Sequence, residues 1–141
     1  MAVESSAWTL DSFALLAYLE GEEGRPRVKE LISRAESGKC SLYISLINLG
    51  EVLYIIERER DLFVAQRALA AVDQLPLQTV PVSRAQVLAA AHVKACYPIS
   101  YADAFAVVTA QEHQGVLLTG DPEFRAVEAD GLITVEWLPR R

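Results

Sequence analysis

Short apolar runs alternate with longer stretches of helically spaced apolar residues, and turn formers separate them. Trp8-Thr9-Leu10 reads as a strand ending at Asp11, with Ser12 as the expected cap of a helix from Phe13 to Glu20. In that helix Phe13, Leu16, Ala17 and Glu20 share one side. Gly21 to Gly24 is a turn. Pro26 suits an early helical position, Val28, Leu31, Ile32 and Ala35 form one stripe, and Gly38 closes the helix. Ser41 to Ile44 is a second strand. Ser45 caps a helix from Leu46 to about Glu59 that is apolar nearly all round, which places it in the interior.

A further helix begins at Asp61 and ends near Leu75-Pro76, and Leu77 to Val82 is a third strand. Ser83 caps a helix through about Ala95, and Pro98 breaks the chain. Ser100 caps a helix from Tyr101 to Gln114 that Gly115 ends. Val116 to Thr119 is apolar and bounded by turns, as a buried parallel strand is. Gly120-Asp121-Pro122 turns into a short helix, Glu123 to Ala129, and Leu132 to Trp137 is the last strand. The expected fold is α/β: a mostly parallel sheet of about four to five short strands with helices on both faces. Residues 1–141 form one domain, a length that suits one core.

Composition narrows the class. A hydrophobic share of 52% and a charged share of 23% exclude a disordered chain. No apolar run reaches the ~20 residues that span a bilayer, so no membrane contact is expected. Met1 to Trp8 lacks the basic-then-apolar pattern of a signal peptide. The two cysteines, Cys40 and Cys96, form no C-x-x-C pair and read as buried or half-buried thiols in a reducing cytoplasm. The net charge of −6 argues against a nucleic-acid coat protein. It leaves room for a nuclease whose acids are gathered at one cation site.

The acids carry that possibility. Most of the 19 lie in solvated contexts such as Glu22-Glu23 or Glu57-Arg58-Glu59. Four interrupt the most apolar windows: Asp11, Glu51, Asp103 and Asp121. An ionised carboxylate there is costly unless paired or metal-bound. Asp11 and Asp121 each follow a strand, the end at which open parallel sheets build their sites. Asn48 and Glu51 are three apart on one helix, as are Ser100 and Asp103, so each pair faces one way. Taken singly, Asp11 and Asp121 suit helix caps, and Glu51 and Asp103 suit internal salt bridges. Taken together they suggest one acidic pocket for a hard cation, Mg²⁺ or Mn²⁺. His92 and His113 have no ligand spacing and read as structural or surface residues.

The four blocks Leu10-Asp11-Ser12, Asn48-Leu49-Gly50-Glu51-Val52, Ser100-Tyr101-Ala102-Asp103-Ala104 and Leu117-Leu118-Thr119-Gly120-Asp121-Pro122-Glu123-Phe124 resemble, in order, the acidic blocks of PIN domains. They span almost the whole chain, and the nearest resemblance is to VapC-like toxins of type II toxin–antitoxin pairs. The lead before Asp11 is longer than family members often have, which bears on Met1 to Ala7. The resemblance implies a Mg²⁺- or Mn²⁺-dependent endoribonuclease, commonly homodimeric, acting on structured RNA such as tRNA or rRNA and blocked by a small antitoxin protein. Asp11, Glu51, Asp103 and Asp121 match the family's acidic quartet, with Asp11, Asp103 and Asp121 as expected ligands and Glu51 as a ligand or water-orienting group. Ser12, Asn48 and Thr119 fall where supporting polar residues lie.

Arg25, Arg27, Lys29 and Arg34 are the expected phosphate strip, against the reading of a plain solvated face. Phosphotransfer folds fit less well. Phe13 occupies the position where a haloacid dehalogenase needs a second Asp, no Lys follows Lys94 as a receiver domain requires, and G-x-G-x-x-G is absent. The alternative of another class is a non-catalytic PIN-like scaffold that binds RNA or a protein partner.

Overall fold

The computed structural model describes residues 5–140. Five strands, β1 (Ala7–Leu10), β2 (Ser41–Ser45), β3 (Leu77–Val80), β4 (Val116–Thr119) and β5 (Thr134–Trp137), form one sheet. Seven helices connect them: α1 (Ser12–Glu20), α2 (Arg25–Glu36), α3 (Leu46–Glu59), α4 (Leu62–Asp73), α5 (Arg84–Cys96), α6 (Tyr101–Glu112) and α7 (Arg125–Ala129). A 3-10 turn, Pro122–Phe124, leads into α7. The strand order is β3-β2-β1-β4-β5 and every pairing is parallel. Ala7, expected in the lead before the first strand, opens β1, while Met1 to Glu4 lie outside the described residues.

Alternation divides each strand between two covers. Trp8, Leu10, Leu42 and Leu118 pack with Val28, Leu31 and Ile32 of α2. Leu117 points the other way, into the cluster of α5, α6 and α7 that holds Val93, Phe105, Val107 and Val127. A third cluster joins Leu15 and Ile44 to Leu49, Val52 and Ile56 of α3 and Val72 of α4. Short strands suffice because both faces are buried and the apolar helices supply most of the burial.

Four expectations change in detail. The helix that runs through the interior is α6, in which every residue from Asp103 to Ala110 is buried. α3 buries only Asn48, Leu49, Val52 and Ile56, and leaves Leu46 and Tyr54 exposed. An all-round apolar composition does not distinguish a helix clamped between the sheet and α5 from one at the flank. The buried face of α1 is Ala14, Leu15 and Ala17, with Phe13 and Leu16 partly buried. α6 ends at Glu112, and the left-handed residue after it is Gln114 (φ 50°) instead of Gly115. Gly115 serves a different need: a Cβ there would lie 2.8 Å from the Ala7 carbonyl oxygen. Of the two free thiols, Cys40 is buried but Cys96 is exposed.

The topology decides where a site forms. The chain winds outward from β1 through β2 to β3, then returns by α5 and α6 to place β4 on the other side of β1. The order reverses between β1 and β4, and a crevice opens beyond their carboxyl ends at such a switch point.

Candidate active site

Asp11 is the first residue past β1, and its extended backbone (φ −91°, ψ −174°) makes it the N-cap of α1. Its Oδ1 accepts from Ala14 N at 2.9 Å, the task expected of Ser12. Ser12 is instead the half-buried first residue of the helix. The cap leaves Oδ2 pointing across the sheet. Leu10 pairs with Leu118, so Thr119 stands beside Asp11, and Thr119 Oγ1 donates to Oδ2 at 2.5 Å. The same hydroxyl oxygen accepts from Asp121 N at 3.0 Å, which folds the turn after β4 back over the strand. Gly120 permits that fold, because a Cβ there would sit 2.4 Å from the Phe13 ring and 3.0 Å from the Leu138 carbonyl oxygen. Asp121 Oδ1 then accepts from Glu123 N at 2.9 Å and caps the 3-10 turn. Asp11 and Asp121 thus each cap the element that follows their strand, at the adjacent carboxyl ends of β1 and β4.

The other acids arrive on helices. Ser100 caps α6 by accepting from Asp103 N at 3.1 Å, which fixes Asp103 in the first turn, where it is buried. The positive end of the helix dipole lies there and favours an anionic side chain. Asn48 Nδ2 donates to the Ala102 carbonyl at 3.1 Å and ties α3 to that turn. Glu51 follows one turn later on α3. Asn48 Oδ1 and Glu51 Oε1 are buried with no hydrogen-bond partner, a costly state for polar oxygens.

Asp103, Asp121 and Glu123 each offer an oxygen, and the three atoms lie within 4.8 Å of one another. Glu123 is the residue that the sequence reading missed. Its signal was its place two residues after Asp121, across Pro122, where the Asp121 cap on Glu123 N holds the two acids together. Burial is the largest cause acting on Asp11 and pushes its carboxyl up to about 8. The Thr119 and Ala14 hydrogen bonds oppose the rise, and the Asp103 and Asp121 charges add to it. Burial likewise leads for Asp103, with the Asp121 and Glu123 charges next, Ser100 opposing and Glu51 adding, and its carboxyl stands at about 7. Asp11 and Glu51 lie outside that group of three, and are linked to it through the charges of Asp103 and Asp121 on Asp11 and of Glu51 on Asp103.

This donor set is hard oxygen alone, with buried acceptors left unpaired and mutual repulsion uncompensated. Those properties fit a Mg²⁺- or Mn²⁺-type cation and not a soft metal. A cavity of about 810 Å³ lined by Leu16, Glu20, Gly21, Glu22, Glu23, Ile55 and Glu59 contains none of these acids. Among its acids Glu20 is ion-paired with Arg60, so chemistry and not concavity locates the site.

The four expected phosphate contacts share α2 but not one environment. Arg27 is paired with Glu136 (Nε to Oε2, 2.6 Å) and Glu30, and lies over the Trp8 ring. Arg25 Nε donates to the Tyr18 carbonyl at 3.0 Å and its guanidinium covers the Tyr18 ring. Lys29 is exposed and Arg34 is half-buried. His113 stacks on Tyr43 with ring centroids 3.8 Å apart, and His92 is exposed beside Cys96, so neither histidine belongs to the acidic cluster. Among the described residues no helix is long and apolar enough to cross a membrane.

The PIN domain family profile matches residues 9–130. The chain belongs to the PIN domain family, and its parallel sheet with flanking helices is that family's fold. No curated protein matches the sequence. Among solved structures, a chain of VapBC2 from Rickettsia felis, bound to a DNA fragment from its promoter, is similar with a TM-score of 0.71 at 16% identity. The match covers 94% of this chain and 99% of that one. VapC20 from Mycobacterium tuberculosis, described as a sarcin-ricin loop cleaving toxin, gives 0.68 at 17% identity over 85% and 94% of the two chains. DNA-bound VapBC from Salmonella typhimurium gives 0.64 at 21% over 92% and 96%. At these identities the likeness is one of fold.

Proposed function

We propose that this protein is a metal-dependent endoribonuclease and the toxin of a toxin–antitoxin pair. The observation that carries the reading is the burial of Asp11 and Asp103 at the switch point, Asp11 against Asp103 and Asp121, and Asp103 against Asp121, Glu123 and Glu51, with no cationic partner for either among the described residues. A fold held together for stability alone gains nothing from such repulsion, whereas a cation site requires it. A divalent cation bound there supplies Lewis acidity at a phosphate and lowers the pKa of water toward neutrality.

This chain's residues do the rest. Asp11, Asp103 and Asp121 would hold the cation, with Glu123 completing the set on the exposed side. Glu51, whose buried Oε1 lacks a hydrogen-bond partner, would be either a further ligand or the group that orients the attacking water. Thr119 and Asn48 hold Asp11 and α6 in register, and Ser12, half-buried at the start of α1, is the remaining polar residue proposed to support them. Hydrolysis by in-line attack leaves a 5′-phosphate and a 3′-hydroxyl and needs no histidine. Of the four expected phosphate contacts on α2, exposed Lys29 is the one proposed to meet RNA, since Arg27 is engaged by Glu136 and Glu30 and Arg25 by the Tyr18 carbonyl.

The VapBC likenesses support an antitoxin partner, and tRNA or rRNA as substrate follows from the family resemblance. A guanidinium matches carboxylates bidentately, so the antitoxin is expected to insert an Arg or Lys at the acids of a dimeric toxin. Cleavage of RNA with Mg²⁺ or Mn²⁺, and its loss in EDTA, tests the reading. Asp11→Asn and Asp103→Asn should each lower the rate at least ~100-fold. Undiminished cleavage by both variants, or RNA binding without cleavage in any metal, would replace the enzyme with the scaffold.

A further inference from the structure

The two tryptophans of the chain have opposite surroundings. Trp8 is 1% exposed and packed under α2, whereas Trp137, at the end of edge strand β5, is 37% exposed. Trp137 is not a loose surface ring. Its Nε1 donates to Glu128 Oε2 at 3.1 Å, and the Arg125 guanidinium lies 5.9 Å from the ring centroid. Both partners are on α7, so one short helix orients the indole while leaving it open.

Its position ties it to the acids. Trp137 pairs with Thr119, and Leu138 N donates to the Thr119 carbonyl oxygen at 2.8 Å. Thr119 is the residue whose hydroxyl holds Asp11. Glu136 bonds Trp8 and Arg27 on the α2 face of the sheet, so alternation turns Trp137 to the other face, the one that α6 and Asp103 occupy. Arg125, beside it in space, and Arg140, three residues further along the chain, are both exposed. In a chain of net charge −6, two exposed arginines beside an open indole, with Glu128 engaged by the indole N–H, offer a local cationic and aromatic edge next to a site that would otherwise repel a polyanion.

We propose that Trp137 and Arg125 form a nucleobase-stacking platform at the rim of the acidic site, which positions an unpaired nucleotide of the RNA beside the bond to be cut. The proposal rests on the ribonuclease reading. Every base presents a π-face to an indole, and an adjacent arginine neutralises the phosphate that accompanies it. Anchored by Glu128, the indole loses little freedom on stacking, and β5, the edge strand, leaves one side open for a strand of RNA. A platform of this kind selects unpaired nucleotides without reading their sequence, which favours loops over duplex as substrate.

Intrinsic fluorescence tests it, because buried Trp8 is shielded and Trp137 is not. The full-length Asp11→Asn protein is mixed with a short single-stranded RNA in Mg²⁺. Quenching that saturates with RNA is expected, and RNA binding without quenching overturns the platform. In the cleaving protein, Trp137→Ala should raise KM roughly tenfold, equivalent to about 1.4 kcal/mol, with kcat within about twofold. Trp137→Phe should recover most of the loss, and Arg125→Ala should reduce the salt dependence of binding by about one phosphate contact. The quenching arm needs no change at Trp137 and so survives a Trp137→Ala protein that fails to fold.

An unchanged KM in a folded Trp137→Ala protein overturns the proposal. So does a change in oligomeric state without a change in RNA affinity, which would make the ring an interface between copies. Cleavage without quenching removes the platform and leaves the ribonuclease. Quenching without cleavage in any metal removes the ribonuclease and leaves an RNA-binding edge.

Discussion

Thr119 Oγ1 donates to Asp11 Oδ2 at 2.5 Å and accepts from Asp121 N at 3.0 Å, so one hydroxyl joins two acids that are far apart in sequence. The hydroxyl is buried, and its donor faces the carboxyl whose pKa stands at about 8. The bond opposes that rise without cancelling it, since burial outweighs it.

Thr119→Val keeps the shape and removes both hydrogen bonds. It should cost about 1–3 kcal/mol, because Asp11 and the Asp121 amide lose buried partners. The melting temperature should fall by several degrees. Cleavage should drop at least tenfold as Asp11 and Asp121 lose their common anchor. Thr119→Ser should retain most of both, and equal melts and rates for Val and Thr would show that the hydroxyl holds nothing.

The raised carboxyls set the pH response of the metal-free protein. A pKa of about 8 for Asp11 and about 7 for Asp103, against 3.8 in an unfolded chain, means the folded state binds their protons more tightly. The stability this confers is present in full below about pH 4 and is lost as pH rises toward 7 and then 8. In EDTA the melting temperature should therefore fall from pH 5 to pH 8, and Mg²⁺ should oppose the fall by binding the ionised form. At ten times its dissociation constant the gain is roughly 1.4 kcal/mol. A metal-free protein that melts higher at pH 8 than at pH 5 would contradict a repulsive acidic cluster.

Asp103→Asn removes one charge from the tightest part of that cluster. In EDTA at pH 8 it should melt above the unaltered protein, and Mg²⁺ should raise it less. A salt-bridged or purely structural Asp103 predicts a variant that melts lower in both buffers. Paired thermal melts therefore separate the two roles without any activity assay.

Glu123 is exposed, so its loss should leave folding intact while weakening the site. Glu123→Gln should melt within about half a kcal/mol of the parent, as surface changes do. It should also need roughly tenfold more Mg²⁺ or Mn²⁺ for half-maximal cleavage or stabilisation. An unaltered metal titration would remove Glu123 from the donor set.

Gly120→Ala tests the turn that aims Asp121. The added methyl would meet the Phe13 ring at 2.4 Å and the Leu138 carbonyl oxygen at 3.0 Å. The ring can yield but the backbone oxygen cannot, so a loss of about 1–3 kcal/mol is expected. The response to metal should weaken with it, as Asp121 shifts away from Asp103. A variant with native stability and native metal affinity would mean the turn tolerates the displacement.

Much of this architecture is local and therefore readable along the chain. Strands such as Val116–Thr119 are apolar runs between turn formers, and caps such as Ser45, Ser83 and Ser100 act within three residues of themselves. The isolation of Asp11, Glu51, Asp103 and Asp121 in apolar windows is likewise a property of sequence, because burial of an unpaired charge is costly wherever it occurs.

Tertiary structure decided the rest, because the deciding contacts join residues distant along the chain. Which apolar helix is central depends on what packs over it, so α6 and α3 could not be ranked by composition. Arg27 looked like one more cation on a helix until β5 brought Glu136 to it. Glu123 enters the site because Asp121 starts a 3-10 turn and because α6 lies opposite. Trp137 stands beside Thr119 only because the sheet sets β5 against β4 in that register. Side-chain type and local period determine the elements and mark the acids that need a reason. The order of strands determines which of them share a field.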